Sequence, residues 1–136
     1  MSMSGLTMKF RRFGPDRRAV SAIEAAIALP VLLMILLGVF EFSNAMRYQA
    51  AYNDAVSAGA RYARLSPTPS TTDVRSRVLT SSAVPLTNAT VTVTTGTSAT
   101  GRTYYTVTIA GSYQVKIPFI KVPSITLTAS KRAYVG

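Results

Sequence analysis

The sequence predicts an α+β protein: a long N-terminal helix, apolar enough to cross a membrane, followed by a small antiparallel sheet of three to four strands. The helix is predicted by residues 25–40, which read AAIALPVLLMILLGVF without a charge. The sheet is predicted by runs such as ATVTVTT and TYYTVTIA, in which apolar residues alternate with threonine. Three or four antiparallel strands can lay one face on the long helix, which gives the α+β class.

The composition of the 136-residue chain leaves room for one modest domain and one anchor. It carries 15 Lys plus Arg against 5 Asp plus Glu, a net charge of +10, yet its mean hydropathy is positive. Soluble nucleic-acid-binding proteins rarely combine these two properties. The basic residues beyond the N-terminus are dispersed along the sequence, so we expect no specific nucleic-acid surface.

The chain has few of the side chains that catalysis or metal binding requires. There is no Cys and no His, which excludes thiol nucleophiles, imidazole catalysis and the usual zinc ligands. The acidic residues are scattered, without the spacing of a catalytic dyad or a metal cage; they are Asp16, Glu24, Glu41, Asp54 and Asp73. We therefore expect no enzyme, no catalytic residues, no metal, no cofactor and no small-molecule substrate.

The apolar segment admits three interpretations. Ala22 to Phe40 spans 19 residues with Glu24 as its one charge, or about 28 Å of helix, just enough to cross a bilayer. A cleaved secretory signal would be shorter and end at small residues, and a buried core helix would need a larger domain around it. A membrane anchor is favoured, with Glu24 either at the interface or beside a partner.

The arginines before the apolar segment set its orientation. Arg11, Arg12, Arg17 and Arg18 lie in a basic N-terminal stretch, and the positive-inside rule places such a stretch in the cytoplasm. The residues beyond the segment are then outside the cytoplasm.

A helical pattern continues past the apolar segment to about residue 65, with apolar and small residues recurring at three- and four-residue intervals. The tyrosines of this stripe, Tyr48, Tyr52 and Tyr62, are expected in the core. Pro30 is expected to favour a kink in the apolar helix. Gly38 and Gly59 are expected to be packing glycines that permit close approach of another element.

The prolines of SPTPSTT, residues 66–72, end the long helix. The hydroxyl residues there suit the cap of a short helix over residues 73–82. Strands are predicted at residues 89–95 and 103–110, joined by a turn, then at 112–119 and 124–135.

Residues 17–65, RRAVSAIEAAIALPVLLMILLGVFEFSNAMRYQAAYNDAVSAGARYARL, resemble the N-terminal region of TadE/TadG-like pseudopilins of the tight-adherence (Flp) pilus, which are similar to type IV prepilins. The matching features are the arginine flank, a glutamate near the start of the apolar run, Pro30, and the strings GVFEF and GARY. Ala19 stands where the family usually has Gly before the cut, and Ala25 where it commonly has Phe or Tyr.

The resemblance implies a leader, residues 1–19, that a prepilin peptidase removes between Ala19 and Val20, which makes Glu24 the fifth mature residue. It further implies a transmembrane helix over residues 20–41, an outward amphipathic helix over 42–65 and an extracytoplasmic β-rich domain over 66–136. The new Val20 amine and Glu24 would then form a charge pair between subunits.

The function implied is that of a structural pilin-like subunit in the bacterial inner membrane or the pilus, with other pilin subunits and assembly proteins as partners. The alternative is an uncleaved single-pass envelope anchor whose β-rich module binds a protein or an anionic polymer.

Overall fold

The computed structural model describes residues 17–135, with side chains from residue 20 onward. Its elements are, in order, α1 (Arg17–Leu65), α2 (Thr71–Ser81), β1 (Ala89–Thr97), β2 (Thr103–Tyr113) and β3 (Ile125–Val135). The strands form one antiparallel sheet in the order β1-β2-β3. The predicted α+β class, with a long apolar helix before a small antiparallel sheet, is confirmed.

The first helix, α1, is 49 residues long and is helical on both sides of Pro30. It begins at Arg17, so the arginine flank at residues 17 and 18 is helical backbone, whereas Arg11 and Arg12 lie outside the described residues. Packing divides the chain into two units, one ending at Leu36 and the other running from Leu37 to the C-terminus.

The short helix α2 is fixed at its start by Ser70. The Ser70 hydroxyl accepts a hydrogen bond from the Asp73 amide at 3.1 Å and donates one to the Asp73 carboxylate at 2.7 Å, so it satisfies a free amide of the first turn. Capping by the hydroxyl residues after the proline stretch was predicted, and α2 begins at Thr71, two residues earlier than expected.

The predicted β-hairpin is confirmed, and both of its strands are longer than the sequence indicated. Ser98 and Arg102 close the turn, where the Ser98 amide donates to the Arg102 carbonyl at 2.8 Å. Gly101 supplies the left-handed conformation that this turn requires, with φ of 78°. The register pairs Val93 with Val107.

The separate strand predicted over residues 112–119 is wrong. Gly111 does not interrupt β2, which continues to Tyr113 and pairs with both neighbours through Gly111. The glycine is needed because the Tyr52 hydroxyl lies 2.6 Å from the position a Cβ would take. Residues 114–124 then form a loop, so the sheet has three strands.

The core of the second unit lies between α1, α2 and one face of the sheet. Buried residues alternate along β2 as Tyr105, Val107 and Ile109, the two-residue period of a strand with one covered face. From α1 the core receives mainly small residues together with Tyr52, and Tyr48 and Tyr62 are half-buried against it, as the tyrosine stripe predicted.

The two packing glycines differ in their surroundings. A Cβ at Gly59 would overlap the Val78 side chain and approach Val107 at 3.5 Å, whereas one at Gly38 would meet nothing within 4 Å. Gly59 therefore allows α2 and the sheet to approach α1 within this chain. The surface at Gly38 is open.

Helix α1 and strand β2 run in opposite directions along each other. Tyr113, at the end of β2, contacts Glu41, and the Tyr105 hydroxyl donates to the Pro69 carbonyl at 2.6 Å, just beyond the end of α1. The β1–β2 turn consequently lies at the end of the second unit away from Glu41. The β2–β3 loop starts beside Glu41.

Candidate functional site

The apolar part of α1 exposes its side chains all round. Ile27 is 67% exposed, Leu33 50% and Phe40 64%, and no residue of the most apolar 18-residue window is buried. Covering one such side chain stabilises by about 1.5–3 kcal/mol, so this surface requires lipid or other helices around it. The interpretation of α1 as the buried core helix of a soluble domain does not fit this exposure.

Glu24 lies on one apolar face of this helix. It lines a shallow groove together with Ile27, Ala28, Val31, Leu32 and Ile35, which recur at the three- and four-residue spacing of a single face. A carboxylate among apolar side chains is costly in hydrocarbon unless a cation neutralises it. Val20 lies one turn before Glu24, about 6 Å along the axis.

The other predicted residues of α1 are not brought together by the fold. Ala19 and the arginines at 17 and 18 lie in the first turn of helix, and Pro30 and Gly38 follow along the same helix. Gly59 lies within the second unit. Among residues 17–135 there is no group of three acidic, histidine or cysteine residues that could hold a metal ion.

Glu41, the first charged residue after the apolar run, ties the helix to the sheet. Its carboxylate accepts a hydrogen bond from the Tyr113 hydroxyl at 2.9 Å and a longer one, 3.4 Å, from the Lys116 amide. The Tyr113 ring also packs on Tyr48, with ring centroids 5.2 Å apart. The sequence did not predict this contact between Glu41 and the end of β2. The only feature in the sequence that pointed to Glu41 is that its carboxylate directly follows the apolar segment.

The environment of Tyr113 raises the pKa of its phenol. Burial is the largest cause, and the hydrogen bond to Glu41 and the negative charge of that carboxylate raise the pKa further. Burial likewise raises the pKa of Tyr52, with a smaller contribution from Tyr48. Both tyrosines are therefore neutral hydrogen-bond donors at physiological pH.

An open cleft of about 430 Å³ lies beside this contact between helix and sheet. Its wall includes Arg47 and Lys116 together with Glu41, Tyr113 and Tyr48. The cleft therefore combines two cations with hydroxyl and amide groups, next to the point where α1 changes from apolar to polar.

Two cations at the opposite end of the sheet stack on tyrosines. The Arg132 guanidinium lies 4.3 Å from the centre of the Tyr104 ring and that of Arg102 lies 5.9 Å from the Tyr134 ring. The sheet register brings them together by pairing Tyr104 with Tyr134. In the sequence these cations looked dispersed, because the strands that carry them are far apart along the chain.

Within residues 17–135, α1 is the helix that is long and apolar enough to cross a membrane. Residues 19–61, which are less than half of the chain, match the family model described as TadE-like protein. No curated protein and no solved structure matches the chain.

The match confirms, over residues 19–61, the resemblance to TadE-like proteins identified in residues 17–65. TadE-like proteins are a structural, pilus-associated family and not an enzyme family. The exposed apolar helix and its match to the TadE-like family model together indicate a membrane-anchored protein.

The contact between Glu41 and Tyr113 predicts a measurable coupling. Tyr113→Phe and Glu41→Ala each remove the hydrogen bond, so the double variant should lose about 1 kcal/mol less unfolding free energy than the sum of the single variants. The measurement is denaturant unfolding in detergent. The control pair is Tyr113→Phe with Asp73→Ala, which removes a carboxylate at the other end of the unit and should be additive. Additivity for the Glu41 pair would contradict the contact.

The same contact predicts that the stability of the fold decreases at alkaline pH. The folded-state pKa of Tyr113 is raised above its ordinary value of 10.0, so its contribution to stability is complete below that value and is lost as the pH rises through the folded-state pKa. Tyr113→Phe should therefore remove part of the alkaline loss of stability.

Proposed function

We propose that this chain is a pseudopilin, a pilin-like structural subunit of a Tad-type pilus or of its membrane assembly complex. The observation that carries the proposal is the fully exposed apolar helix with one acidic residue, Glu24, inside the segment that matches the TadE family. Such a surface is suited to two environments in turn, the bilayer and a bundle of like helices.

The precursor is proposed to span the bacterial inner membrane once through residues 20–41, with the basic N-terminus in the cytoplasm. Residues 42–136, which hold the rest of α1 and the sheet, then lie in the periplasm or outside the cell. The arginines at 11, 12, 17 and 18 support this orientation because cationic residues are retained on the cytoplasmic side.

A prepilin peptidase is proposed to cut between Ala19 and Val20. The cut converts a peptide nitrogen into a cationic amine one helical turn from Glu24. When mature helices pack side by side, the Glu24 carboxylate of one subunit neutralises the amine of the next. This pairing selects one axial register among otherwise interchangeable apolar surfaces.

Processing predicts a defined mass. When the chain is co-expressed with an active prepilin peptidase, the membrane-extracted protein should have the mass of residues 20–136, and without the peptidase it should retain residues 1–19. Intact-mass spectrometry makes the measurement, and a known prepilin in the same cells serves as the control for peptidase activity. Full retention of the leader while the control prepilin is cut would reject the pseudopilin in favour of a permanently anchored envelope protein.

The proposed charge pair predicts that loss of the Glu24 charge impairs assembly without impairing membrane insertion. Glu24→Gln keeps the shape of the side chain and removes its charge, so membrane insertion should be unchanged and incorporation into the pilus or complex should fall about tenfold or more, because an unpaired amine remains between helices. Quantitative immunoblotting of membrane and pilus fractions measures both. The matched control, Asp54→Asn, neutralises an exposed carboxylate on the same helix and should assemble normally. Normal incorporation of Glu24→Gln would refute the charge pair.

A further inference from the structure

The loop between β2 and β3, residues 114–124, presents an apolar tip to solvent. Phe119 is fully exposed, with a relative exposure of 103%, and Ile120 is 48% exposed. A narrow turn holds them there: the Ile120 amide donates to the Ile117 carbonyl at 3.3 Å, and these two residues form an isolated bridge. We call residues 114–124 the tip loop.

The backbone at the tip is unusual for an aromatic residue. Phe119 has φ of 65°, a left-handed conformation that costs free energy for a bulky side chain and is ordinarily given to glycine or asparagine. Within the described chain Phe119 gains no burial in exchange. Strained, exposed residues of this kind commonly mark a contact surface.

Cations flank the apolar tip on both sides. Lys116 and Lys121 are exposed, and no acidic residue follows Asp73 in the sequence. A partner of this loop must therefore accept an apolar wedge and offer negative charge around it. The surface of a bilayer that contains anionic phospholipids has both properties.

The base of the tip loop is held beside the end of the apolar helix segment. The Lys116 amide and the Tyr113 hydroxyl both donate to Glu41, which directly follows the uncharged residues 25–40. The Gln114 side chain donates to the Val122 carbonyl at 3.2 Å and closes the base. The loop is thus anchored at the level where α1 becomes polar, which is where the proposed transmembrane segment leaves the bilayer.

We propose that the tip loop is a second membrane contact, in which Phe119 and Ile120 insert at the headgroup level while Lys116 and Lys121 bind phosphate groups of anionic phospholipids. The proposal rests on the proposed membrane span of α1. Arg47, which lines the same cleft as Lys116, supplies a further cation for the same headgroups. Two contacts, helix and loop, hold the sheet domain in a fixed orientation on the membrane surface.

A lipid surface fits this loop better than a second copy of the chain. Residues 74–136, which hold the loop and the sheet, carry seven Lys plus Arg and no acidic residue, so a loop-to-sheet contact between copies would bring cations together. The anionic lipid surface has the opposite sign. Charge complementarity therefore selects the membrane as the occupant.

The absence of cysteine in the chain allows a test with single labelled cysteines. Full-length protein carrying Ile120→Cys, Ala99→Cys or Leu33→Cys is labelled with an environment-sensitive fluorophore and reconstituted in vesicles of phosphatidylethanolamine and phosphatidylglycerol that contain nitroxide lipids. Quenching by headgroup nitroxides should be about threefold or more stronger at position 120 than at 99, the exposed turn at the far end of the sheet. The label at position 33 should be quenched by nitroxides deep in the acyl chains.

The possible outcomes distinguish failure of the loop contact from failure of the membrane span. If position 33 is quenched and position 120 is quenched no more than position 99, the loop contact is refuted and the span survives. If position 33 is not quenched, the span fails and the loop proposal fails with it. If the label at 120 shifts to a dry environment without quenching by lipid nitroxides, the occupant is a second copy, which also overturns the proposal.

Substitutions within the loop test its chemistry separately. With the label at position 120, Phe119→Asn should reduce headgroup quenching severalfold, and asparagine tolerates the positive φ, so the turn should persist. Lys116→Gln with Lys121→Gln should reduce the ratio of docked to undocked loop about tenfold on anionic vesicles and have little effect on neutral ones. The charge-matched control is Arg75→Gln with Arg77→Gln, two exposed positions on α2. An equal loss from the control pair would contradict specific contact by the loop.

Discussion

The apolar surface of α1 that the chain itself leaves uncovered is the constraint on which the rest of the structure depends. From Val20 to Phe42 the helix presents large apolar side chains that are exposed. Their removal from water must come from lipid or from neighbouring helices. Membrane anchoring follows from that requirement, and the helix packing and the charge pair that we propose for Glu24 depend on it.

The second unit uses the other half of the same helix as its scaffold. Small residues such as Ala55, Gly59 and Ala63 let the sheet and α2 approach α1 closely, so a domain without disulfides still buries a continuous core. Glu41 marks the boundary between the two uses of the helix. By accepting hydrogen bonds from Tyr113 and Lys116, it fixes the end of β2 and the start of the tip loop beside the polar end of the apolar segment.

The sequence was informative where a local period or a short turn determines structure. The apolar run, the stripe of Tyr48 and Tyr52 and the hairpin around Gly101 were all predictable. The end of β2 was not, because Gly111 is required by a tyrosine hydroxyl from another element and not by a turn. The Glu41–Tyr113 contact and the stacking of Arg132 on Tyr104 likewise depend on pairings between distant parts of the chain. The resemblance of residues 17–65 to TadE/TadG-like pseudopilins supplied the site hypothesis at Glu24, which local physics alone left open.

The central claim is that residues 22–40 lie in lipid. Its most direct measurement is a nitroxide scan of single cysteines through this segment in vesicles, comparing collisions with oxygen, which concentrates in the bilayer, and with a water-soluble nickel complex. The account predicts that oxygen access exceeds nickel access throughout and that their ratio is greatest near Val31, the midpoint of the segment. Low access to both reagents, or nickel access equal to that of oxygen around Leu33, would place the segment inside a protein or in water and contradict the account.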